Sequence, residues 1–149
     1  MSLISRLLSL IGSPQTPSAG PVPSDGPAAV AALLVHVARV DGVFDPAERT
    51  RLAVLFTDRL GLSTEEAARL LAAGEEASLA RPDLGTLVEA AARDADGAER
   101  RDLLAMAYSV AAANGSLAEF EDDLIWRVGH LLGLDEAAIA AARRQGVPP

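Results

Sequence analysis

Three carboxylates, Asp41, Asp45 and Glu48, fall inside the stretch His36 to Leu60, HVARVDGVFDPAERTRLAVLFTDRL. Oxygen ligands of this kind suit hard cations such as Ca²⁺ or Mg²⁺. The spacing is not that of an EF-hand loop: counting from Asp41, Val43 stands at position three, Pro46 where Gly is needed and Leu52 where a bidentate Glu belongs. The same acids also suit helix capping. Asp45-Pro46-Ala47-Glu48 reads as N-cap, N1, N2 and N3, with Pro where its missing N–H costs nothing and Glu placed to complete a capping box. A helix N-terminus carries partial positive charge, which repels a cation and favours the capping role. Asp41 then reads as a turn acid, or as a partner for an arginine such as Arg39.

Other chemistries find no residues. His36 and His130 are the only histidines, and a lone His on an apolar helix reads as a hydrogen-bonded boundary residue. There is no Ser-His-Asp order, phosphate-binding glycine loop or H-E-x-x-H pattern, so no enzyme is expected and no cofactor is implied. The absence of cysteine removes disulfides, thiolate metal sites and thiol redox chemistry, and suits a cytoplasmic location. The net charge of −8 without a basic cluster excludes nucleic acid as a partner, because Lys and Arg supply most of that affinity.

Helices must position these acids. The 149 residues are 50% hydrophobic but only 3% aromatic, so Leu, Val and Ala fill one core and favour helix over sheet. The reading is an all-α bundle of about seven helices over residues 28–149, preceded by a linker at 12–27 and a short amphipathic helix at 1–11. That helix, MSLISRLLSLI, sets Leu3, Ile4, Leu7, Leu8 and Ile11 on one stripe and is too short to span a bilayer. The linker GSPQTPSAGPVPSDGP is built of Pro, Ser and Gly.

From Ala28 a mostly buried helix runs to Val40 and is closed by Asp41-Gly42. The second, from Asp45, carries Leu52, Leu55, Phe56 and Leu60 inward and stops at Gly61. Ser63-Thr64-Glu65-Glu66 caps a third that runs to about Ala73. Pro82-Asp83 opens a fourth, Ala98 to Ala113 forms a fifth, Ser116 with Glu119 caps a sixth, and Asp135 begins a seventh. Trp126 and Phe120 read as core fillers, Phe120 also as an exposed interface contact.

The second half copies the first. Asn114-Gly115 answers Asp41-Gly42, Glu121 answers Glu48, Ile125 answers Leu52, and Gly133-Leu134 answers Gly61-Leu62 after a one-residue slip. The order of (A/V)-D-G-x-x-D-x-x-E, G-L-(S/T)-x-E-E, E-R-x-x-L-L-x-x-A-x-x-V-A-x-x-(D/N)-G and E-x-x-x-I-x-x-(V/I)-x-x-x-L-G-(L/I) resembles the tellurite-resistance TerB family, from about Ala28 to Gln145. The resemblance implies a seven-helix bundle with twofold internal similarity, related to the N-terminal domain of DjlA-type co-chaperones and found alone or beside membrane modules. It also implies divalent-metal ligands, which carry over as Asp41, Asp45, Glu48 and Glu121. The second half departs from the pattern, with Asn114 in place of the acid and Ala118 opposite Asp45.

Three functional expectations follow. The first is a non-enzymatic interaction module of stress or tellurite resistance, acting through protein partners. The second is a divalent-metal-binding stress protein using the first corner. The third is a membrane-peripheral adaptor held through residues 1–11. That helix is expected to dock in an apolar groove, in cis or by exchange in a homodimer, because five large apolar side chains otherwise face water.

Overall fold

In the computed structural model, residues 26–40, 44–80 and 82–147 are described. They form seven helices and no strand: α1 Gly26–Ala38, α2 Pro46–Leu60, α3 Thr64–Leu79, α4 Leu84–Ala92, α5 Gly97–Ala111, α6 Glu119–Leu131 and α7 Glu136–Gly146. The expected all-helical bundle is therefore present. The amphipathic stripe at residues 1–11, the linker up to residue 25 and the Asp41-Gly42 turn lie outside the described residues.

The local signals act as physics requires. Asp45 Oδ1 accepts from Ala47 N at 2.7 Å and Glu48 Oε1 from Asp45 N at 3.3 Å, giving α2 its capping box. Ser63 with Glu66 does the same for α3, and Asp96 with Glu99 for α5. Gly61 closes α2 in the left-handed conformation, at φ 68°. One start differs from expectation: α6 begins after Ala118, with no side-chain cap, while Ser116 N donates to Asn114 Oδ1 in the preceding turn.

Tertiary packing follows the internal repeat. α1 is sheathed by α3, α4, α5 and α6, and from Ala29 to Ala38 every side chain except His36 is buried. Within the units α1 packs on α3 and α5 on α7. Between them α2 packs on α5 and α6 on α1, while α4 bridges α1 and α6. The first four of these contacts exchange in pairs when the two halves are swapped, α1–α3 with α5–α7 and α2–α5 with α6–α1, whereas α4 takes one helix from each unit.

Two glycines carry the same symmetry. Helix α3 does not stop before Gly74 as the sequence suggests; it runs through to Leu79. Gly74 is buried against α1, where an added Cβ would stand 2.8 Å from the carbonyl carbon and Cβ of Ala31. Gly146 lies 72 positions later, the offset that also separates Gly61 from Gly133. Its added Cβ would collide with Ala105 O and stand 2.7 Å from Tyr108 Cβ on α5. In each unit a glycine lets the third helix cross the first at backbone contact, and alanine-rich α1 and α5 present little to hold it away.

Candidate functional site

The first corner joins α1 to α2, with Asp45 and Glu48 at the start of α2. Glu48 is only 2% exposed, and its repeat counterpart Glu121, third residue of α6, is 4% exposed; no other charged side chain among the described residues is buried. Both sit where the backbone N–H groups of a helix start favour negative charge. Asp45 and Glu48 share one capping box, Glu121 belongs to the other unit, and Asp41 lies outside the described residues. Among the described residues no group of three His, Asp or Glu side chains could hold a metal ion.

Arginines brace this corner against α3. Arg49 pairs through Nη1 and Nη2 with the two carboxylate oxygens of Glu75, the Nη2–Oε2 distance being 2.9 Å, and lies 4.7 Å over the Phe44 ring. That carboxylate is the chief reason the Arg49 pKa rises above its ordinary value. On the other side Arg39 Nη1 donates to Ser78 Oγ at 3.4 Å. Both contacts need the last turns of α3, beyond the point where the sequence suggested it would stop. His36, half-buried on α1, has its pKa lowered by burial and is neutral at pH 7.

In the second unit Asp122 of α6 pairs with Arg143 of α7 at 3.2 Å. Beside this pair lies Tyr108 of α5, fully buried, whose phenol is pushed up to about 12, first by burial and then by the Asp122 carboxylate. A raised phenol pKa favours the protonated folded state. Its stabilisation is complete below the unfolded value near pH 10 and is lost as pH rises towards 12, on the order of 3 kcal/mol in all. Tyr108 is the only tyrosine, so the phenolate absorbance band reports it alone. The band should develop near pH 12 in the native protein, with urea stability falling from pH 10 upward and less steeply in Tyr108→Phe. Titration at the ordinary value would contradict this.

The outward face of α6 departs most from expectation. Phe120 is 74% exposed, Leu131 48% and Trp126 47%. The core stripe of α6 is instead Glu121, Leu124, Ile125 and Val128, continued by Leu132. The reading of Trp126 as core is thereby corrected, and of the two readings of Phe120 the exposed one holds. Trp126 meets His130 edge-on, with ring centroids 4.0 Å apart. Glu119, Asp123 and Arg127 are exposed as well and lie between Trp126 and the line that joins Phe120 to Leu131. Among the described residues no helix is long and apolar enough to cross a membrane. The apolar stripe expected to meet a partner, Leu3, Ile4, Leu7, Leu8 and Ile11, lies outside them.

Against known proteins, a family model described as "Tellurite resistance protein TerB" matches residues 27–144. No curated protein and no solved structure matches the chain.

Proposed function

The chain belongs to the tellurite-resistance TerB family, and from that membership we propose that it is a non-enzymatic interaction module, cytoplasmic and serving stress or tellurite resistance through a protein partner. The observation that carries this reading is the exposed face of α6. Of five aromatic residues in the chain, two are spent on it. At about 100° per residue Phe120 and Leu131 lie on one side of the helix and Trp126 on another, with Arg127, Asp123 and Glu119 between them, so they offer a partner separate apolar anchors. Exposed aromatics set among charged side chains are the residue types that anchor protein interfaces. Reduction of tellurite by the chain itself has no thiol to use, and the acidic surface repels an oxyanion.

The test is affinity capture from cell lysate with the full chain and with Phe120→Glu and Trp126→Glu. Both side chains are exposed, so the fold should survive with stability changed by about 0.5 kcal/mol. Loss of one exposed aromatic anchor should weaken partner binding about 30-fold. A captured set that is unchanged in both variants would refute the reading.

A second reading, divalent-metal binding, draws on the buried, repeat-related Glu48 and Glu121. The capping geometry speaks against it, since Asp45 Oδ1 and Glu48 Oε1 already accept backbone N–H groups. Millimolar Ca²⁺ or Mg²⁺ should therefore leave the melting temperature unchanged. A concentration-dependent rise that disappears in Asp41→Asn with Asp45→Asn would establish the metal site instead. Peripheral membrane attachment through residues 1–11 has less behind it, because a domain of net charge −8 is repelled by anionic lipid.

A further inference from the structure

The outermost line of α6 carries a charge pattern that complements itself when the helix is reversed. At about 100° per residue Glu119, Asp123, Trp126, Arg127 and His130 all fall within about 50° of the direction opposite the buried stripe. Both acids precede Trp126, while the arginine and the imidazole follow it. Asp122, nearer α7, is already paired with Arg143. None of Glu119, Asp123 and Arg127 forms an ion pair with another described residue. We infer that two copies of this chain associate through this line, their α6 helices antiparallel across a two-fold axis level with Ile125, so that Asp123 of each copy pairs with Arg127 of the other.

The register follows from the helical rise. Asp123 and Arg127 lie about 3 Å to either side of Ile125 along the axis, so reversing one helix brings each acid level with the other copy's arginine. Glu119 and His130 lie about 9 Å and about 7.5 Å from Ile125 in opposite directions, which sets that carboxylate beside an imidazole N–H donor. A two-fold axis across the helices also keeps each flank of the line with its own kind. Asp123 and Arg127 share one flank, and Glu119, Trp126 and His130 the other. The two Trp126 rings, each about 1.5 Å from the level of the axis, meet at the centre. His130 holds that ring edge-on at 4.0 Å in the single chain, so little ordering is left to do on association. Parallel helices would instead set acid against acid and arginine against arginine. The contact goes beyond the reading of α6 as a partner surface, because Phe120 and Leu131 are turned about 70° and about 90° from its centre and stay at its edge. A helix of 13 residues is about 20 Å long and about 10 Å across, so the buried area is below the roughly 1,600 Å² of a standard interface. The dimer is accordingly weak and reversible, with a dissociation constant on the order of 50 μM.

The experiment is sedimentation equilibrium of the full chain, of Asp123→Arg and of Arg127→Asp, from about 5 to about 500 μM, a range that brackets the expected dissociation constant. Both positions are exposed, and circular dichroism verifies an unchanged fold. Wild type should pass from monomer to dimer across this range. Each single variant sets like charges against each other twice in the dimer, so its association should weaken at least about 30-fold. An equimolar mixture of the two variants restores opposite charges in both pairs and should associate as strongly as wild type. Wild type that stays monomeric at the highest concentration overturns the inference. Association unchanged in both variants overturns it by placing the contact elsewhere. Two monomeric variants whose mixture fails to associate overturn the antiparallel pairing. The partner reading fails separately: lysate capture that does not depend on Phe120 removes the partner and leaves the dimer standing.

Discussion

Gly74→Ala should destabilise the protein by about 2 kcal/mol, although the same change in an unobstructed helix stabilises it by about 1 kcal/mol. The added methyl group would stand 2.8 Å from the carbonyl carbon and Cβ of Ala31 and 2.9 Å from its oxygen. These atoms belong to the backbone and first side-chain carbon of α1, which is buried and enclosed by four other helices. No rotamer change can relieve such a contact, so α3 must move as a body. That movement loosens the α1–α3 packing and carries Glu75 and Ser78 away from Arg49 and Arg39. Gly74→Leu should cost about 4 kcal/mol by the same reasoning. Gly97, the first residue of α5, has nothing within 4 Å of an added Cβ, so Gly97→Ala should be neutral or slightly stabilising. Urea unfolding of the three variants decides the matter, since equal midpoints for Gly74→Ala and Gly97→Ala would show that the close approach has no energetic weight.

Gly74 also shows where a sequence ceases to be legible. A glycine after an apolar run reads as a stop because its commonest role at a helix end is the left-handed cap, which Gly61 does fill. Distinguishing a cap from a crossing point requires knowing what lies opposite, and Ala31 is 43 positions away. The repeat held the missing signal, since Gly146 stands at the 72-residue offset that relates Gly61 to Gly133. Capping boxes were legible because their partners are three residues apart and act before any packing occurs. The family resemblance was legible for the same reason, being carried by short motifs in a fixed order.

Trp126 illustrates the opposite error, an apolar residue assigned inward because it is apolar. At about 100° per residue Trp126 lies roughly 160° round the helix from Val128, outside the arc that holds Ile125, Val128 and Leu132. Counting angles from Ile125 and Val128 would have turned it outward. The acids at the first corner were placed correctly at a helix start, but their burial could not be foreseen. Glu48 is only 2% exposed, and a capping position three residues into a helix does not by itself say whether a side chain faces water.

Arg100→Ala should lower stability by about 3 kcal/mol, while Ala in place of its neighbour Arg101 should change it by less than about 0.5 kcal/mol. Arg101 is exposed. Arg100 instead lays its guanidinium across two helix ends: Nε donates to Ala95 O at 3.0 Å, Nη2 to Ala92 O at 3.2 Å and Nη1 to Leu132 O at 2.8 Å. Ala92 is the last residue of α4 and Leu132 the C-cap of α6. Carbonyls at helix C-termini lack intrahelical donors and carry the negative end of the dipole, so one planar cation satisfies both ends and ties them together. Truncation leaves these part-buried oxygens to water and removes charge-assisted bonds worth about 1.5 kcal/mol or more each before relaxation. Arg100→Lys keeps the charge but cannot match the fork, and should recover about half of the loss. The denaturation midpoints of Arg100→Ala, Arg100→Lys and Arg101→Ala should therefore fall in that order, lowest first. A result in which Arg100→Ala and Arg101→Ala coincide would mean that water replaces the guanidinium without cost. The consequence reaches the surface of α6, because the Leu132 carbonyl fixes the end of the helix that presents Trp126 and Leu131. In Arg100→Ala, amide hydrogen exchange should quicken first in the last turn of α6, leaving the first turns of α2 and α3, held by their own capping boxes, as protected as in the parent protein.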